Sequence, residues 1–364
     1  MPIIRSYTSA FEVVDYTKEL AVVPNKWTLL NEVGLFQPEY LSTHTVTFEQ
    51  QDHALALIGD QVRGSKPQAN QDELRKIFSY AIPHFPLADA VLPQDVQGKR
   101  AYGSTSAAET TDAVLARKIE RMQNNFDVLK EVARWKTLAN GSIYAPNGTV
   151  AGNFYTDFGI SQTSIDFALN NSGTDVVAKV EAVIADMQDK ATSGDIITGI
   201  IGYASPEFFA ALIAHANVKD AYRYYSATEG QQILRNRAGQ GSAGQAGGLY
   251  REFMYAGIRF IEVRTVLVGQ RLVAVKECLF VPVGTQDVFV TYFGPANKFD
   301  FGTQDVFVTY FGPANKFDFV NTIAEPGYMW TYRDPKGERI DIDAETNFVN
   351  VVRRPQLVIK GTTP

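Results

Sequence analysis

Gly239-Gln240-Gly241-Ser242-Ala243-Gly244 has the spacing of a dinucleotide-binding loop, with Glu262 at the distance where a carboxylate would meet a ribose hydroxyl. That chemistry needs a buried strand to deliver the glycines to a helix N-terminus aimed at the pyrophosphate. Here Arg235-Asn236-Arg237 precedes the run and further glycines follow it, so the segment reads as a flexible loop. Asp341, Asp343 and Glu345 are spaced like the start of a calcium loop but lack its central glycine and distal glutamate. Their alternation with Ile340, Ile342 and Ala344 reads as a strand with one wet face. His44, His53, His84 and His215 form no close-spaced pair, and the lone Cys278 cannot complete a structural zinc set. Beside Leu279-Phe280-Val281 it reads as a small buried thiol. There is no Gly-x-Ser-x-Gly elbow and no P-loop. Trp27, Trp135 and Trp330 read as packing residues. The residues therefore imply no catalytic group, no metal and no cofactor.

The elements that would position such groups say more. Residues 40–103 read as long extended limbs of mixed polarity that no compact domain would need. In the first limb, His44-Thr45-Val46-Thr47-Phe48-Glu49, side-chain character alternates with period two; Asp52 marks a turn, and Ala54-Leu55-Ala56-Leu57-Ile58-Gly59 runs back towards Arg63-Gly64-Ser65-Lys66-Pro67. A third extended piece covers residues 74–85. Residues 107–139 contain neither glycine nor proline. Leu115, Ile119, Met122, Phe126, Leu129 and Ala133 recur at steps of four and three, flanked by Arg117, Lys118, Glu120, Arg121, Lys130 and Glu131. This predicts one long helix, stopped at Asn140-Gly141 and roughly 50 Å in length. Residues 145–282 alternate helix and strand patterns: a helix at 176–190, a buried strand at 195–203, a helix capped by Ser205 with Pro206 at its first position, and strands at 253–263 and 271–283.

The order of extended limbs, the Pro83-His84-Phe85-Pro86 stretch and the entry into a long helix resembles the major capsid proteins of lambda-like tailed phages. A second block strengthens the resemblance: Gly312-Pro313-Ala314-Asn315-Lys316-Phe317-Asp318-Phe319 leading to Tyr328-Met329-Trp330-Thr331-Tyr332-Arg333-Asp334-Pro335-Lys336-Gly337. The similarity runs from about Val33 to the end. It implies an α+β, HK97-type capsid fold with an N-terminal arm (1–39), an extended E-loop (40–87), a peripheral domain with a long spine helix (88–144 and 284–349) and an axial domain (145–283 and 350–364). It implies a structural protein and no enzyme, self-assembling through hexamers and pentamers into an icosahedral head that encloses double-stranded DNA without sequence-specific binding. Scaffold, portal and decoration proteins are the expected partners. The expected place is the virion capsid, assembled in the host bacterial cytoplasm. Arg63, Lys66, Arg235, Arg237 and Arg251 are candidate contacts to carboxylates of neighbouring subunits. The alternatives are an encapsulin-like nanocompartment shell and a dinucleotide-binding enzyme using the glycine loop.

Composition agrees with a folded, non-exported chain. Of 364 residues, 45% are hydrophobic and 20% charged, enough to bury a core and too few charges for wholesale disorder. No secretory leader and no continuous apolar span of about 18 residues is present, so neither export nor a membrane is expected. The net charge of −6 is opposite in sign to that of a dedicated nucleic-acid binder.

Residues 284–301 and 302–319 are one 18-residue string written twice without a difference. Solenoid units are longer, diverge and need several copies, so this is no structural repeat. A very recent tandem duplication or an error in the recorded sequence would produce it, and the capsid resemblance needs a single copy before Val320. The strand Val288-Phe289-Val290-Thr291-Tyr292-Phe293 and its twin would compete for one slot in a sheet.

Overall fold

The computed structural model describes residues 29–52, 74–99, 101, 108–144, 152–191, 197–224, 251–283, 307–311, 313–316 and 322–364. The chain opens with helix α1 (Leu29–Val33) and strands β1 (Gln37–Tyr40), β2 (Thr45–Asp52), β3 (Leu74–Ala81) and β4 (His84–Val91). After a short α2 (Pro93–Val96) comes α3 (Thr111–Asn140), followed by α4 (Phe154–Asp157), β5 (Ser164–Asp166) and α5 (Val176–Lys190). Next are β6 (Gly199–Ala204), α6 (Pro206–Ala214), α7 (Ala216–Tyr224), β7 (Glu252–Tyr255), β8 (Ile258–Glu262), a small hairpin β9 (Val266–Leu267) and β10 (Gln270–Arg271), and β11 (Glu277–Val283). The chain closes with β12 (Phe307–Phe311), β13 (Tyr328–Arg333), β14 (Ile340–Val352) and β15 (Ile359–Thr362).

Two sheets carry the architecture. The first is ordered β1-β12-β14-β13, with β4 also on β14, and the thirteen-residue β14 is its axis. The second is ordered β5-β15-β11-β6-β8-β7. Its inner strands read as continuous apolar runs because both faces are covered, with Cys278, Leu279, Phe280 and Val281 all fully buried. Helices α5 and α6 supply Val176, Val180, Val183, Met187, Phe208, Phe209 and Leu212 to the same core. At Gly361 a Cβ would stand 2.7 Å from the Phe280 ring, so only glycine lets β15 lie beside the stacked Phe167 and Phe280.

Helix α3 ties the sheets together. Thr110 caps it by accepting from the Ala113 amide, and Gly141 ends it in the left-handed region at φ 63°. The predicted stripe is the buried one. Leu115, Ile119, Met122 and Phe126 pack with Val91, Ile342 and Ala344 of the first sheet, while Trp135 and Leu138 enter the core of the second. There the Trp135 ring meets Tyr203 edge-on at 5.1 Å. At about 45 Å the helix is long enough to do both.

Several expectations are corrected. The first limb pairs with Leu74–Ala81, from Thr45↔Ala81 to Asp52↔Leu74; residues 54–59, expected to run back from it, lie outside the described residues. The strand reaches Asp52, and the turn expected there and beyond lies outside the described residues. The strand expected over 271–283 is broken: Arg271 closes β10, and β11 starts only at Glu277, after a turn with Lys276 at φ 61°. Residues 253–263 form two strands, since Ala256 and Gly257 have positive φ and close a two-residue hairpin. Glu131, placed by periodicity in the charged flank of α3, is fully buried.

Candidate subunit contact surfaces

The β2–β3 ladder, the stem of the expected E-loop, has two unlike faces. Alternation turns Val46, Phe48, Phe78 and Tyr80 to one face, where Phe78 meets Phe158 at 5.0 Å and Tyr80 meets Phe154 at 5.5 Å, both edge-on. The Tyr80 hydroxyl donates to Asp157 Oδ2 at 2.8 Å; burial, then this bond to a carboxylate, pushes its pKa up. The other face carries Thr45, Thr47, Ser79 and Ile77, the last 70% exposed. One face is thus fixed to the subunit's own body and the other is open. Arg63 and Lys66 belong to the 53–73 segment beyond the stem, outside the described residues.

The base of the expected arm is bolted to α3. Leu29, Leu30 and Phe36 are buried in the main core. Glu131 Oε1 accepts from the Leu30 amide and from Trp135 Nε1, both at 2.8 Å, and Oε2 accepts from the Asn31 amide at 3.0 Å. The carboxylate caps the first turn of α1 from a hundred residues away and satisfies the indole one helical turn below it. Burial outweighs these three bonds and raises the Glu131 pKa. The signal in the sequence is the i,i+4 pair of Glu131 and Trp135, since a buried indole N–H needs an acceptor.

Of the other candidate contacts, Arg235 and Arg237 lie outside the described residues. Arg251 is engaged within its own chain: Nε and Nη2 donate to the two oxygens of Glu262 at 2.7 and 2.8 Å, and the guanidinium lies over the Phe209 ring at 5.1 Å. Arg264 adds a third bond to Glu262 at 2.8 Å. Burial alone would raise the Glu262 pKa; the two arginines outweigh it and hold the carboxyl below its ordinary value. This carboxylate has a structural occupation, not that of a ribose ligand. Cys278 is fully buried, and burial pushes its thiol well above the ordinary range. Among the described residues no three His, Cys, Asp or Glu side chains come together to hold a metal, and no helix is long and apolar enough to cross a membrane.

The two halves of the C-terminal block meet in space. Lys316 Nζ sits 3.6 Å from the centroid of Trp330 and 4.9 Å from that of Tyr332, and Tyr328 stacks on Trp330 at 5.9 Å. Asn315 donates its amide to Glu345 Oε1 at 2.7 Å. The spacing of these residues is therefore dictated by one aromatic and ionic cluster.

Comparison with known proteins gives this geometry its context. Residues 12–301 and 299–363 match the phage major capsid protein E family, in two runs that meet where the two 18-residue copies join. The chain is 38% identical to the major capsid protein of Pseudomonas phage KPP10, over 98% of both chains. This chain belongs to the phage major capsid protein E family. It is 25% identical to the major capsid protein of Salmonella phage Felix O1, over 98% of this chain and 97% of the relative. The capsid of Ralstonia phage GP4 superposes with a TM-score of 0.52 at 11% identity, covering 100% of this chain and 99% of the other. The capsid of Myoviridae phage XM1 gives 0.52 at 9%, with the same coverage. At that identity the likeness is one of fold, and the fold is the HK97 type. The subunit is thus a structural capsid protein and not an enzyme.

Proposed function

We propose that this capsid protein assembles with itself, through hexamers and pentamers, into the icosahedral shell of a phage head that encloses double-stranded DNA, formed in the host cytoplasm on a scaffold and completed by portal and decoration proteins. The family match along nearly the whole chain carries this reading. The open face of the β2–β3 stem supports it, because exposed Ile77 and an eight-residue ladder edge are a liability unless a neighbour covers them. Contacts of the obligate kind bury about 2,000 to 5,000 Å². The arm (1–39) and the E-loop (40–87) are the proposed sources, with Arg63 and Lys66 near the loop turn facing carboxylates of an adjacent subunit. Arg235, Arg237 and Arg251 are proposed as axial contacts; a neighbour reaching Arg251 competes with Glu262 for its fork.

Deletion of residues 63–67 separates assembly from folding. Electron microscopy of the expressed variant is expected to show few or no shells, with the subunit soluble and its circular dichroism unchanged. Shells of normal number and size from the deleted protein would remove the E-loop tip from the mechanism.

A further inference from the structure

Between α3 and β1 lies an open groove of about 500 Å³, lined among others by Phe36, Tyr40, Asp127, Lys130, Arg134 and Phe311. Its cations are paired only loosely: Glu131 and Asp127 lie near enough to Arg134 to favour its charge, but its hydrogen bonds go elsewhere. Arg134 is 8% exposed, and its two terminal nitrogens donate to neutral acceptors, Asn31 Oδ1 and Thr309 Oγ1. Its Nε is buried without an acceptor. Lys130, one turn earlier, has a side chain only 16% exposed, and Asp127, the one carboxylate paired with it among the described residues, is 4.0 Å away and 59% exposed. Glu131 stands between the two cations in sequence, but both its oxygens are taken by α1 and Trp135. Burial lowers the pKa of Lys130 and of Arg134, as it does for cations removed from water without full compensation.

We propose that this groove receives an aspartate or glutamate side chain from a neighbouring copy of the capsid protein, seated on Lys130 with Arg134 behind it. The inference rests on the reading that the chain assembles into a shell. A free inorganic anion would satisfy the charge but gain nothing from the walls. Phe36 and Phe311 are already buried, but a carboxylate on a carbon stem also covers the rim residue Tyr40, which is 44% exposed and stacked on Phe311 at 5.4 Å. Charge complementarity favours a second copy, since the chain carries 40 acidic residues against 34 basic ones. A buried cation that lacks a full partner in the single subunit and finds one in the lattice makes assembly, not folding, the state in which the charge is satisfied.

The test uses shells assembled from a mixture of unlabelled and 15N-labelled chains, treated with a water-soluble carbodiimide that joins an amine to a carboxylate in direct contact. Mass spectrometry of the digest is expected to find Lys130 joined to an Asp or Glu in peptides of mixed isotope composition. Lys130 linked only within its own chain, as to Asp127, or left unlinked in well-formed shells, would overturn the groove's assignment while leaving the assembly reading intact. Absence of shells from the unaltered chain would overturn both. In parallel, Lys130→Ala is expected to leave the free subunit's melting temperature unchanged or raised and to lower shell yield by about tenfold. A lowered melting temperature with normal yield would count against the groove.

Discussion

Two buried carboxylates hold this subunit in shape by different means. Glu131 serves neutral donors, two amides of α1 and one indole, so its role is to leave no buried N–H unpaired. Glu262 serves charged donors and is the centre of an Arg251–Glu262–Arg264 triplet. Only the second is stabilised as a charge, and that sets a pH dependence. Its folded pKa is depressed below the ordinary 4.5, so its contribution is complete above that value and is lost as the pH falls through the folded pKa. Replacing Glu262 with Gln is expected to cost about 2 kcal/mol at neutral pH. It is also expected to flatten the acid limb of stability, measured by urea denaturation at a series of pH values below 4.5. Parallel acid limbs in the two proteins would mean that other carboxylates set that limb.

Among the elements, β12 poses the sharpest question, because its sequence occurs twice and the sheet has one place for it. That place lies between β1, parallel to it, and β14, antiparallel to it, and the copy that fills it is the second, at Phe307–Phe311. The slot needs one twin only. Removing residues 284–301 leaves five residues, 302–306, between β11 and β12, a reach of roughly 20 Å. Val283 and Phe307 both belong to the main core, so such a bridge joins two parts of one body. The shortened chain is expected to fold with a melting temperature within a few degrees of the full chain's and to form shells of the same size by electron microscopy. A chain that no longer folds would show that both copies are structural. Helix α3 is the contrasting case: its apolar stripe and its left-handed stop at Gly141 follow from local pattern, although the helix expected over 107–139 starts only at Thr111, behind its cap Thr110.

For the molecule as a whole, a net charge of −6 suits a wall past which DNA must slide, since strong phosphate contacts would release counterions and hold the genome in place. In a mobility-shift assay at low salt the purified subunit is expected to leave duplex DNA unretarded; a tight stoichiometric complex would contradict this view of the inner wall. The stripe of α3, the Ser205 cap with Pro206 behind it, and the strand at 340–345 were legible because each depends on residues within a turn or two of one another, although the expected wet face of that strand fails at Glu345, which is buried. The capsid family itself was legible in the same way, from ordered blocks of residues. Tertiary structure alone decided which limb Thr45–Asp52 pairs with, that Glu131 turns inward to cap α1, that Arg251 closes on Glu262, and which twin strand enters the sheet. The reason is that these outcomes are competitions between groups far apart in the chain, settled by burial and by the pairing of every buried donor, and no local pattern records who wins.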